Sequence, residues 1–407
     1  MKLKLVFLTS ILMGTAQISN AACTQTLGPG VDLVTIISNA TAGSTICLNT
    51  GNYGNVILDN VGKSSDVIIQ SASGNGAIVS FELTRSNHLR FQNLTLSGLE
   101  IRNQTTNITV SGNKFTGQAL INLGANGGAS YGNANILIDK NSFDNISVCT
   151  NCYEGRLQLI SDDKPSGITI SNNHFGGPGE SDGIQNGAYG VVIGPGNVFD
   201  GIIQGNYGRH VDAYQGYGQS HTTIKGNYFL NGGSYIMTPD GGDTEIMTDN
   251  VFVGGSYYPA LQMGSHKNDS FIHNTVIDLA VGFSRKKENT QSSTNVIVRD
   301  NILINSEITT SISDTPGVSG CTNCTFTHNL FNLSSNTSGT NNIIGIPSFT
   351  GGSIPKTWGG FKLLSTSFGY KTATDTLDVG TNYFGAGSIP NSPPVKLLAP
   401  TNFRIVP

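Results

Sequence analysis

Charged side chains are scarce in this sequence. They make up 12% of its 407 residues, about half of the ~25% that is usual in soluble proteins. A helical bundle needs a charged outer face on every helix, so this composition argues against one. Hydrophobic residues still account for 37% of the chain. That fraction is enough to bury a core, and it argues against a disordered protein.

Basic residues are also few. Lys and Arg total 22 against 26 Asp and Glu, which gives a formal net charge of −4. Removing the N-terminal leader described below, which contains Lys2 and Lys4 but no acidic residue, would make this −6. A mildly acidic chain offers no basic surface to nucleic acid or to an anionic membrane, so we expect neither as a partner.

Long apolar runs are missing after the first 21 residues. The N-terminus itself has a basic start, a short apolar stretch over residues 5–13, and small residues at Ser19 and Ala21. This layout is typical of a secretory signal peptide. No later stretch approaches the ~18 apolar residues that a membrane span needs. We therefore predict a signal peptide over residues 1–21 and a secreted, periplasmic or cell-surface protein.

The six cysteines fall into three sets: Cys23 with Cys47, Cys149 with Cys152, and Cys321 with Cys324. Two CxxC pairs could form a zinc site or a redox motif. Export favours disulfides instead. In the stacked fold proposed below, the CxxC pairs would also lie several coils apart, at ~4.8 Å per coil, and could not share one metal. We predict a local disulfide within each set.

Short β-type segments that end in Asn recur between residues 89 and 331. Typical examples are Asn113-Lys-Phe115, Asn141-Ser-Phe143 and Asn227-Tyr-Phe229. The recurring asparagines are Asn93, Asn113, Asn141, Asn173, Asn197, Asn227, Asn250, Asn274, Asn301 and Asn329. Their spacing of 20 to 32 residues, with no helical pattern between them, indicates a stacked β solenoid. The spacing lacks the Leu period of leucine-rich repeats and the four strands per ~40 residues of a propeller.

The composition agrees with a solenoid. Alternating Ile, Val and Phe would place one side of each short strand inside. An Asn at the same corner of each coil can hydrogen-bond to its neighbours above and below, and Asn tolerates the left-handed turn conformation. We also expect a short amphipathic helix within residues 30–42 to plug the first coil, clamped by the Cys23–Cys47 disulfide. Residues 390–407 are Pro-rich and are predicted to be a tail.

The mature chain resembles secreted right-handed parallel β-helix proteins of the pectate-lyase-like superfamily. The resemblance rests on the segment 43–53, which is similar to the first coil of that group, and on segments 344–349, 358–363 and 378–380, which are similar to its closing segment. It implies an all-β chain in which residues 22–389 form a single right-handed parallel β-helix with a short N-terminal capping helix.

Departures from the repeat cluster between residues 180 and 290. Four residues each lie 12 positions before a recurring Asn and should form one column: Gln185, Gln215, Thr238 and Gln262. Asp182 and Asp212 should then stack in a second column, ~4.8 Å apart. Two carboxylates at that distance repel each other unless a cation lies between them or one holds a proton. A calcium ion bound by Asp182 and Asp212 is therefore the candidate cofactor, and we expect no other.

Two interpretations of this region remain open. In the first, the polar residues form an interior ladder that is satisfied inside the coil. In the second, they line an outer groove with the following residues: Arg209, His210, Asp212, Tyr214, Tyr217, Tyr257, Tyr258, His266, Arg285, Lys286 and Lys287. Aromatic rings stack on sugars and cations hold uronates, so such a groove would suit an acidic polysaccharide. The basic run at 285–287 could equally be an exposed turn, and Asp240 and Asp243 are typical turn residues that could also bind calcium.

The groove could support either of two reactions. In β-elimination from a uronic acid, a cation neutralises the carboxylate, a base removes the adjacent proton, and the glycosidic oxygen leaves. His210, Asp212, Arg285 and Lys286 are the candidate catalytic residues. The substrate-binding candidates are Arg209, Tyr214, Tyr217, Tyr257, Tyr258 and His266. In hydrolysis, two carboxylates would act instead.

We predict a monomeric protein that acts on an extracellular acidic polysaccharide, with a lyase favoured. A glycoside hydrolase of the same fold and a non-catalytic glycan-binding or adhesin-like solenoid are the alternatives. The sequence has no nucleophile elbow, phosphate loop or metalloprotease helix motif that would indicate other chemistry.

Overall fold

The computed structural model describes residues 22–122, 133–147, 155–160, 167–177, 179, 181–203, 211–256, 259–284, 292–310, 320–334 and 339–385. Over these residues the chain is an all-β, right-handed parallel solenoid of about 11 turns, and only 4% of it is helical. The predicted fold class is therefore confirmed. The predicted signal peptide and the Pro-rich tail lie outside the described residues.

Two long parallel sheets run the length of the solenoid. Sheet 1 has 13 strands: Gln25–Leu27, Thr45–Leu48, Val67–Ser71, Asn87–Gln92, Thr106–Ser111, Ala134–Asp139, Ile168–Ser171, Val192–Ile193, Thr223–Lys225, Ile246–Thr248, Ser270–Ile272, Ile297–Arg299 and Thr325–Thr327. Sheet 2 has 12 strands: Gly51–Asp59, Ala77–Thr84, Thr95–Arg102, Lys114–Phe115, Ala119–Asn122, Gly155–Ile160, Asp182–Asn186, Asp212–Gly216, Ser234–Thr238, Leu261–Gly264, Ala280–Ser284 and Glu307–Thr309.

Two shorter sheets complete the later coils. Sheet 3 has eight strands: His174–Gly176, Val198–Asp200, Tyr228–Leu230, Val251–Val253, Thr275–Ile277, Ile302–Ile304, Leu330–Phe331 and Ile343–Ile344. Sheet 4 has four: Gly242–Asp243, His266–Lys267, Ser293–Thr294 and Cys321–Thr322. A full coil passes through sheets 1, 3, 2 and 4 in that order before it returns to sheet 1.

A stack of phenylalanine rings forms part of the core. Its members occupy equivalent positions on successive coils: Phe115, Phe143, Phe175, Phe199, Phe229 and Phe252. Neighbouring ring centroids lie 4.2–4.9 Å apart, and the planes are within 16° of parallel. The phenylalanine two positions after each of the six asparagines from Asn113 to Asn250 therefore points inward.

The predicted asparagine ladder is present and fully buried. From Asn113 to Asn329, each Nδ2 donates to the Oδ1 of the next asparagine at 2.9–3.1 Å. Asn93 does not belong to the ladder, although the sequence pattern included it. Leu94 takes the ladder position instead, and its amide donates to Asn113 Oδ1 at 2.9 Å.

The left-handed corner conformation belongs to the residue before each ladder asparagine, not to the asparagine itself. Gly226, Asp249 and His273 precede Asn227, Asn250 and Asn274, and they have φ angles of 60°, 58° and 53°. Asn93 has a φ of 53° and so occupies this corner position. The prediction assigned two roles to one residue, whereas the structure divides them between neighbours.

The N-terminal segment contains the predicted helix, at Leu33–Asn39. The Asp32 side chain accepts the Thr35 amide at 3.2 Å and so caps the helix N-terminus. Leu33 and Ile37 are buried in the core. That the helix closes the first coil stays a prediction.

Two of the predicted disulfides are present: Cys23–Cys47 and Cys321–Cys324. Cys149 and Cys152 lie outside the described residues. Cys23–Cys47 closes a loop with a sequence separation of 24 residues. We expect the double substitution Cys23→Ala and Cys47→Ala to lower the free energy of unfolding by about 3 kcal/mol, because the unfolded chain loses this constraint. Urea denaturation measures it, and an unchanged midpoint would contradict the expectation.

The C-terminal segment 346–385 packs against the outer face of sheet 3. That face presents large apolar side chains such as Tyr228, Val251 and Ile302, and Trp358 and Phe361 cover them in a second apolar core. A 3₁₀ helix spans Trp358–Phe361. Thr374, Gly380, Thr381 and Asn382 also hydrogen-bond to corner residues of the coils. The outer face of sheet 3 is thus closed by the chain itself.

No helix in the described part of the chain combines the length and apolar character needed to cross a membrane.

Candidate functional site

The outer face of sheet 2 is the surface that the fold leaves open for a ligand. A central column of outward residues runs along it, one from each coil, and we call this the outer column. Its members are Glu82, Glu100, Leu120, Gln158, Gln185, Gln215, Met237 and Gln262. Gln158 is only 2% exposed, so the column is covered at that coil. Parallel register stacks these side chains one coil apart, so a linear polymer could lie along the column and meet a similar contact at each step.

Amide groups form the middle of the outer column. Gln185 Nε2 donates to Gln215 Oε1 at 2.7 Å, and both side chains are partly exposed. The sequence predicted Gln185, Gln215, Thr238 and Gln262 in this column. Three of these assignments are confirmed, but Met237 occupies the place predicted for Thr238. Thr238 is instead fully buried. The segment between the column position and the next ladder asparagine is one residue longer in this coil than in its neighbours, so counting 12 residues back from Asn250 reaches Thr238 and not Met237.

The N-terminal part of the outer face forms an open groove of about 350 Å³. Its lining includes Glu82, Glu100, Gln118 and Leu120. Glu82 and Glu100 stack on consecutive coils, and Arg102 Nη2 lies 2.5 Å from Glu100 and 3.5 Å from Glu82. One guanidinium therefore faces two carboxylates, and all three side chains remain about a third exposed. This group can hydrogen-bond to sugar hydroxyls and has one negative charge in excess.

Asp182 and Asp212 are stacked in register, as predicted. The Asp212 amide donates to Asp182 Oδ1 at 2.8 Å. Both side chains, however, have no exposed surface. The prediction that these two aspartates line an outer groove is therefore wrong, because neither carboxylate faces solvent.

A calcium ion does not fit this pair. Calcium takes six to eight oxygen ligands and commonly keeps water among them. The buried carboxylates supply few such ligands, and Asp182 already accepts a backbone amide. A protein cation is also close by: burial lowers the pKa of Arg156 to about 10, although the charges of Asp144 and Asp182 act in the opposite direction. The guanidinium itself donates to the carbonyl oxygens of Phe143, Gly176 and Gly177.

The two described tyrosines of the predicted groove lie on different faces. Tyr214 is fully buried, and its hydroxyl accepts Asn186 Nδ2 at 3.1 Å. Burial raises the pKa of Tyr214 well above its usual value, and the charge of Glu245 adds to this. Tyr214 therefore does not line a groove. Tyr217 is partly exposed beside the outer column, and its hydroxyl donates to the Leu159 carbonyl at 2.9 Å. Its ring is available to a sugar.

His266 is buried inside the coil and not in an outer groove. It contacts Glu245 and Asp269, and all three side chains are at most 7% exposed. Burial alone would lower the pKa of His266, but the hydrogen bond and charge of Asp269, with Glu245, raise it to about 9. Burial raises the pKa of Glu245 to about 8, although the charge of His266 acts in the opposite direction. A substrate cannot reach this histidine.

The remaining predicted site residues lie outside the described residues. They are Arg209, His210, Tyr257, Tyr258, Arg285, Lys286 and Lys287. Their assignments as base, clamp or substrate contact stay predictions. Asp240 is a turn residue, as the sequence suggested. Asp243 instead lies in the sheet 4 strand Gly242–Asp243, and its side chain accepts Asn268 Nδ2 at 3.1 Å.

Two polar groups escaped the sequence analysis. Glu245 and Asp269 each precede a ladder asparagine by five residues. This equal spacing could have predicted that the two residues stack on consecutive coils. Glu82 and Glu100 belong to early coils that precede the asparagine ladder. No repeated marker fixes their register, and only the structure brings them together.

Asp144 and His174 form an ion pair away from these groups, with Oδ1 and Nδ1 2.6 Å apart. Burial alone would lower the pKa of His174. The hydrogen bond and the charge of Asp144 outweigh this effect and raise the pKa. The stabilisation from the histidine is present below its unfolded pKa of ~6.5 and is lost as pH rises through the raised value. We expect the free energy of unfolding to fall between pH 6 and pH 9 more in the wild type than in Asp144→Asn.

Urea denaturation at each pH measures this difference. Asp59→Asn is the matched control, because the partner of Asp59 is Arg85, which does not titrate in this range. An equal pH dependence in wild type and Asp144→Asn would contradict the expectation.

The fold is similar to that of solved alginate lyases. A mutant of the PL6 family alginate lyase AlyGC has a TM-score of 0.57 at 15% identity, covering 91% of this chain and 59% of that chain. AlyGC itself has a TM-score of 0.53 at 14% identity, covering 89% and 57%. A PL6 alginate lyase in complex with a trisaccharide has a TM-score of 0.49 at 11% identity, covering 86% and 90%.

This chain spans less than three fifths of the length of each AlyGC structure. No protein-family model matches it, and no curated protein matches its sequence. At these identities the likeness concerns the fold. The resemblance to parallel β-helix proteins of the pectate-lyase-like superfamily is confirmed at that level.

Proposed function

We propose that this protein binds an acidic, uronic-acid-containing polysaccharide along the outer face of sheet 2 and cleaves it by β-elimination. The observation that carries the proposal is the outer column, a row of mainly polar side chains one coil apart that Leu120 and Met237 interrupt, beside an open groove of about 350 Å³. Uronic-acid polymers have repeating hydroxyl and carboxylate groups, and such a row can contact them repeatedly.

The outer face supplies the contacts that a sugar chain requires. Gln185 and Gln215 provide amide donors and acceptors, and Tyr217 provides a partly exposed ring. The charge of Arg102 is already balanced by Glu82 and Glu100, so the cation for a uronate has to come from elsewhere. Amides and guanidinium groups bind hydroxyls and carboxylates, and aromatic rings pack on the apolar faces of sugars. Two structures of an alginate lyase share the fold with TM-scores above 0.5, which supports a uronic-acid polymer as the substrate class.

Elimination needs a base near the proton next to the carboxylate and a positive charge that stabilises the resulting anion. His210, Arg285 and Lys286 remain the proposed base and clamp. Asp212 is withdrawn from the catalytic set because it is buried. A calcium requirement also remains a proposal, but it is not assigned to Asp182 and Asp212.

A non-catalytic glycan-binding solenoid is the second candidate. It is favoured by the complete burial of Asp182, Asp212 and His266, since these three belong to the residues on which the sequence based a reaction. Such a protein would use the same outer face and leave the polymer intact.

The direct test is incubation with alginate, polygalacturonate and neutral glucan controls, with and without a chelator. The proposal expects ultraviolet absorbance from unsaturated uronate ends with at least one acidic polymer and none with neutral glucan. Loss of the signal on chelation would support the metal requirement. New reducing ends without absorbance would indicate a hydrolase, and binding without either product would indicate the non-catalytic solenoid.

Removing the amides of the outer column should weaken binding. Each lost hydrogen bond costs about 0.5–1.5 kcal/mol, so Gln185→Ala with Gln215→Ala should weaken oligosaccharide binding roughly 10- to 100-fold. Isothermal titration calorimetry measures the change. Thr223→Ala, on the outer face of sheet 1, is the matched control and should bind like the wild type. Equal affinity in the double variant would exclude this face.

A further inference from the structure

A polar cluster interrupts the apolar interior where sheet 4 meets sheet 1. Glu245 and Asp269 directly precede paired strands of sheet 1 and so stack on consecutive coils. His266 lies on the neighbouring strand of sheet 4. One ligand atom from each residue lies within 4.8 Å of the others. All three residues are buried to at least 94%, so this cluster is not part of the outer face.

The histidine is oriented as metal-binding histidines are. His266 Nε2 lies 3.0 Å from the carbonyl oxygen and 2.8 Å from the hydroxyl oxygen of Thr238. The carbonyl can only accept, and the hydroxyl donates its proton to the Gln262 carbonyl at 3.3 Å, so Nε2 is the donor to Thr238. Nδ1 then faces the carboxylates, with Glu245 Oε2 at 3.4 Å and Asp269 Oδ2 in direct contact. A ring nitrogen anchored to a carbonyl, with the opposite nitrogen directed at anionic ligands, is the usual arrangement around protein-bound metals.

The carboxylates differ in how they are held. Asp269 Oδ1 accepts the Glu245 amide at 2.9 Å, which fixes its orientation. Neither oxygen of Glu245 makes a well-formed hydrogen bond, although the residue is only 1% exposed. Its polar neighbours are His266 and the buried side-chain amide of Gln219, which also makes no well-formed hydrogen bond. A buried carboxylate without partners is costly. Its oxygens therefore have capacity for a ligand that the protein itself does not supply.

The backbone leaves space beside these ligands. Gly242 pairs with His266, and a Cβ on Gly242 would lie 3.0 Å from both Glu245 Cδ and His266 Cε1. A small cavity of about 10 Å³ also adjoins Glu245, Asp269 and Ser270 on the side away from His266, and apolar side chains such as Met247 and Phe283 complete its lining. A cavity of this size holds about one water molecule or one small ion.

We propose that Glu245, His266 and Asp269 form a buried structural binding site for a divalent transition-metal ion, with zinc as the ion. One imidazole nitrogen and two carboxylate oxygens are ligands that zinc accepts at ~2.0–2.2 Å. Calcium prefers six to eight oxygens and is disfavoured by the nitrogen and the small space. A sealed site implies that the metal enters during folding and stabilises the coils that it joins.

Charge balance supports this assignment. The two carboxylates of Glu245 and Asp269 carry two negative charges when ionised, and a neutral imidazole adds none. One divalent ion would therefore balance the cluster, which avoids the cost of burying an unbalanced charge.

Metal content after chelation tests the site. The full chain is produced in zinc-supplemented medium, dialysed against a chelator to remove surface ions, and analysed by mass spectrometry for metals. We expect about one zinc ion per wild-type chain and less than a tenth of that in Glu245→Gln. Glu82→Gln, which alters an exposed acid of the outer face, is the matched control and should retain the wild-type content.

The Glu245→Gln variant should still fold, because glutamine has the shape and charge of the protonated glutamate. Circular dichroism checks this. Zinc in the growth medium should raise the melting temperature of the wild type and of Glu82→Gln but not that of Glu245→Gln. A wild-type chain without retained zinc, or equal zinc in Glu245→Gln, would overturn the proposal.

Discussion

Replacing Asn227 with alanine is expected to lower the free energy of unfolding by about 3–5 kcal/mol. Asn227 has no exposed surface. Its Nδ2 donates to the Ile193 carbonyl and to Asn250 Oδ1, and its Oδ1 accepts Asn197 Nδ2, all at 2.9–3.0 Å. Alanine would remove three buried hydrogen bonds and leave their partners without water to replace them. Urea denaturation measures the change when the wild type and the variant are fitted with the same dependence of the free energy of unfolding on urea concentration.

Asn49→Ala is the matched control for that experiment. Asn49 is exposed and contributes backbone groups to its hydrogen bonds, so its substitution should change stability by less than about 0.5 kcal/mol. Similar small changes for both variants would mean that the ladder fills space without stabilising the stacked coils.

The second large effect is expected for Phe199→Ala, at about 3–5 kcal/mol. Phe199 is 1% exposed, and its ring lies between Phe175 at 4.9 Å and Phe229 at 4.5 Å. Alanine would open a cavity in the middle of the phenylalanine stack and remove two ring contacts. Thermal and urea unfolding report the loss.

Phe368→Ala provides the comparison, since Phe368 is 55% exposed. Its cost should not exceed about 1 kcal/mol. If Phe199→Ala were no worse than Phe368→Ala, the core would be able to close around the missing ring, and the stack would not be a main source of stability.

The repeat could be predicted from the sequence because each coil repeats the same local requirements. An inward Asn and an inward apolar residue two positions later satisfy one corner, and the pattern recurs from Asn113 to Asn329, with Phe at most repeats and Val276 and Leu303 after Asn274 and Asn301. The pattern failed at Asn93 because the corner and the ladder are adjacent positions, and Asn is suited to both. Thr95, two positions after Asn93, does not continue the apolar pattern.

The candidate site was harder to predict. The spacing of residues indicates which of them stack on neighbouring coils, but not whether their side chains point into the core or out to solvent. Equal offsets correctly stacked Asp182 over Asp212, and Gln185 over Gln215. Equal offsets could not show that the aspartates are buried while the glutamines face outward. The side chains of a strand that begins at a corner do not alternate regularly between the inner and outer faces from its first residue. His266 was misplaced for a related reason: its partners Glu245 and Asp269 come from the next corner of the coil, not from its own strand.

The central functional claim is that the outer face of sheet 2 holds an acidic polysaccharide while it is cleaved by elimination. Mass spectrometry of the products formed from alginate and polygalacturonate tests this most directly. The account predicts oligosaccharides lighter by one water molecule than hydrolysis products, formed by the wild type and much more slowly by the Gln185→Ala, Gln215→Ala double variant. Products of full hydrolysis mass, or acidic polymers left intact by the wild type, would contradict it.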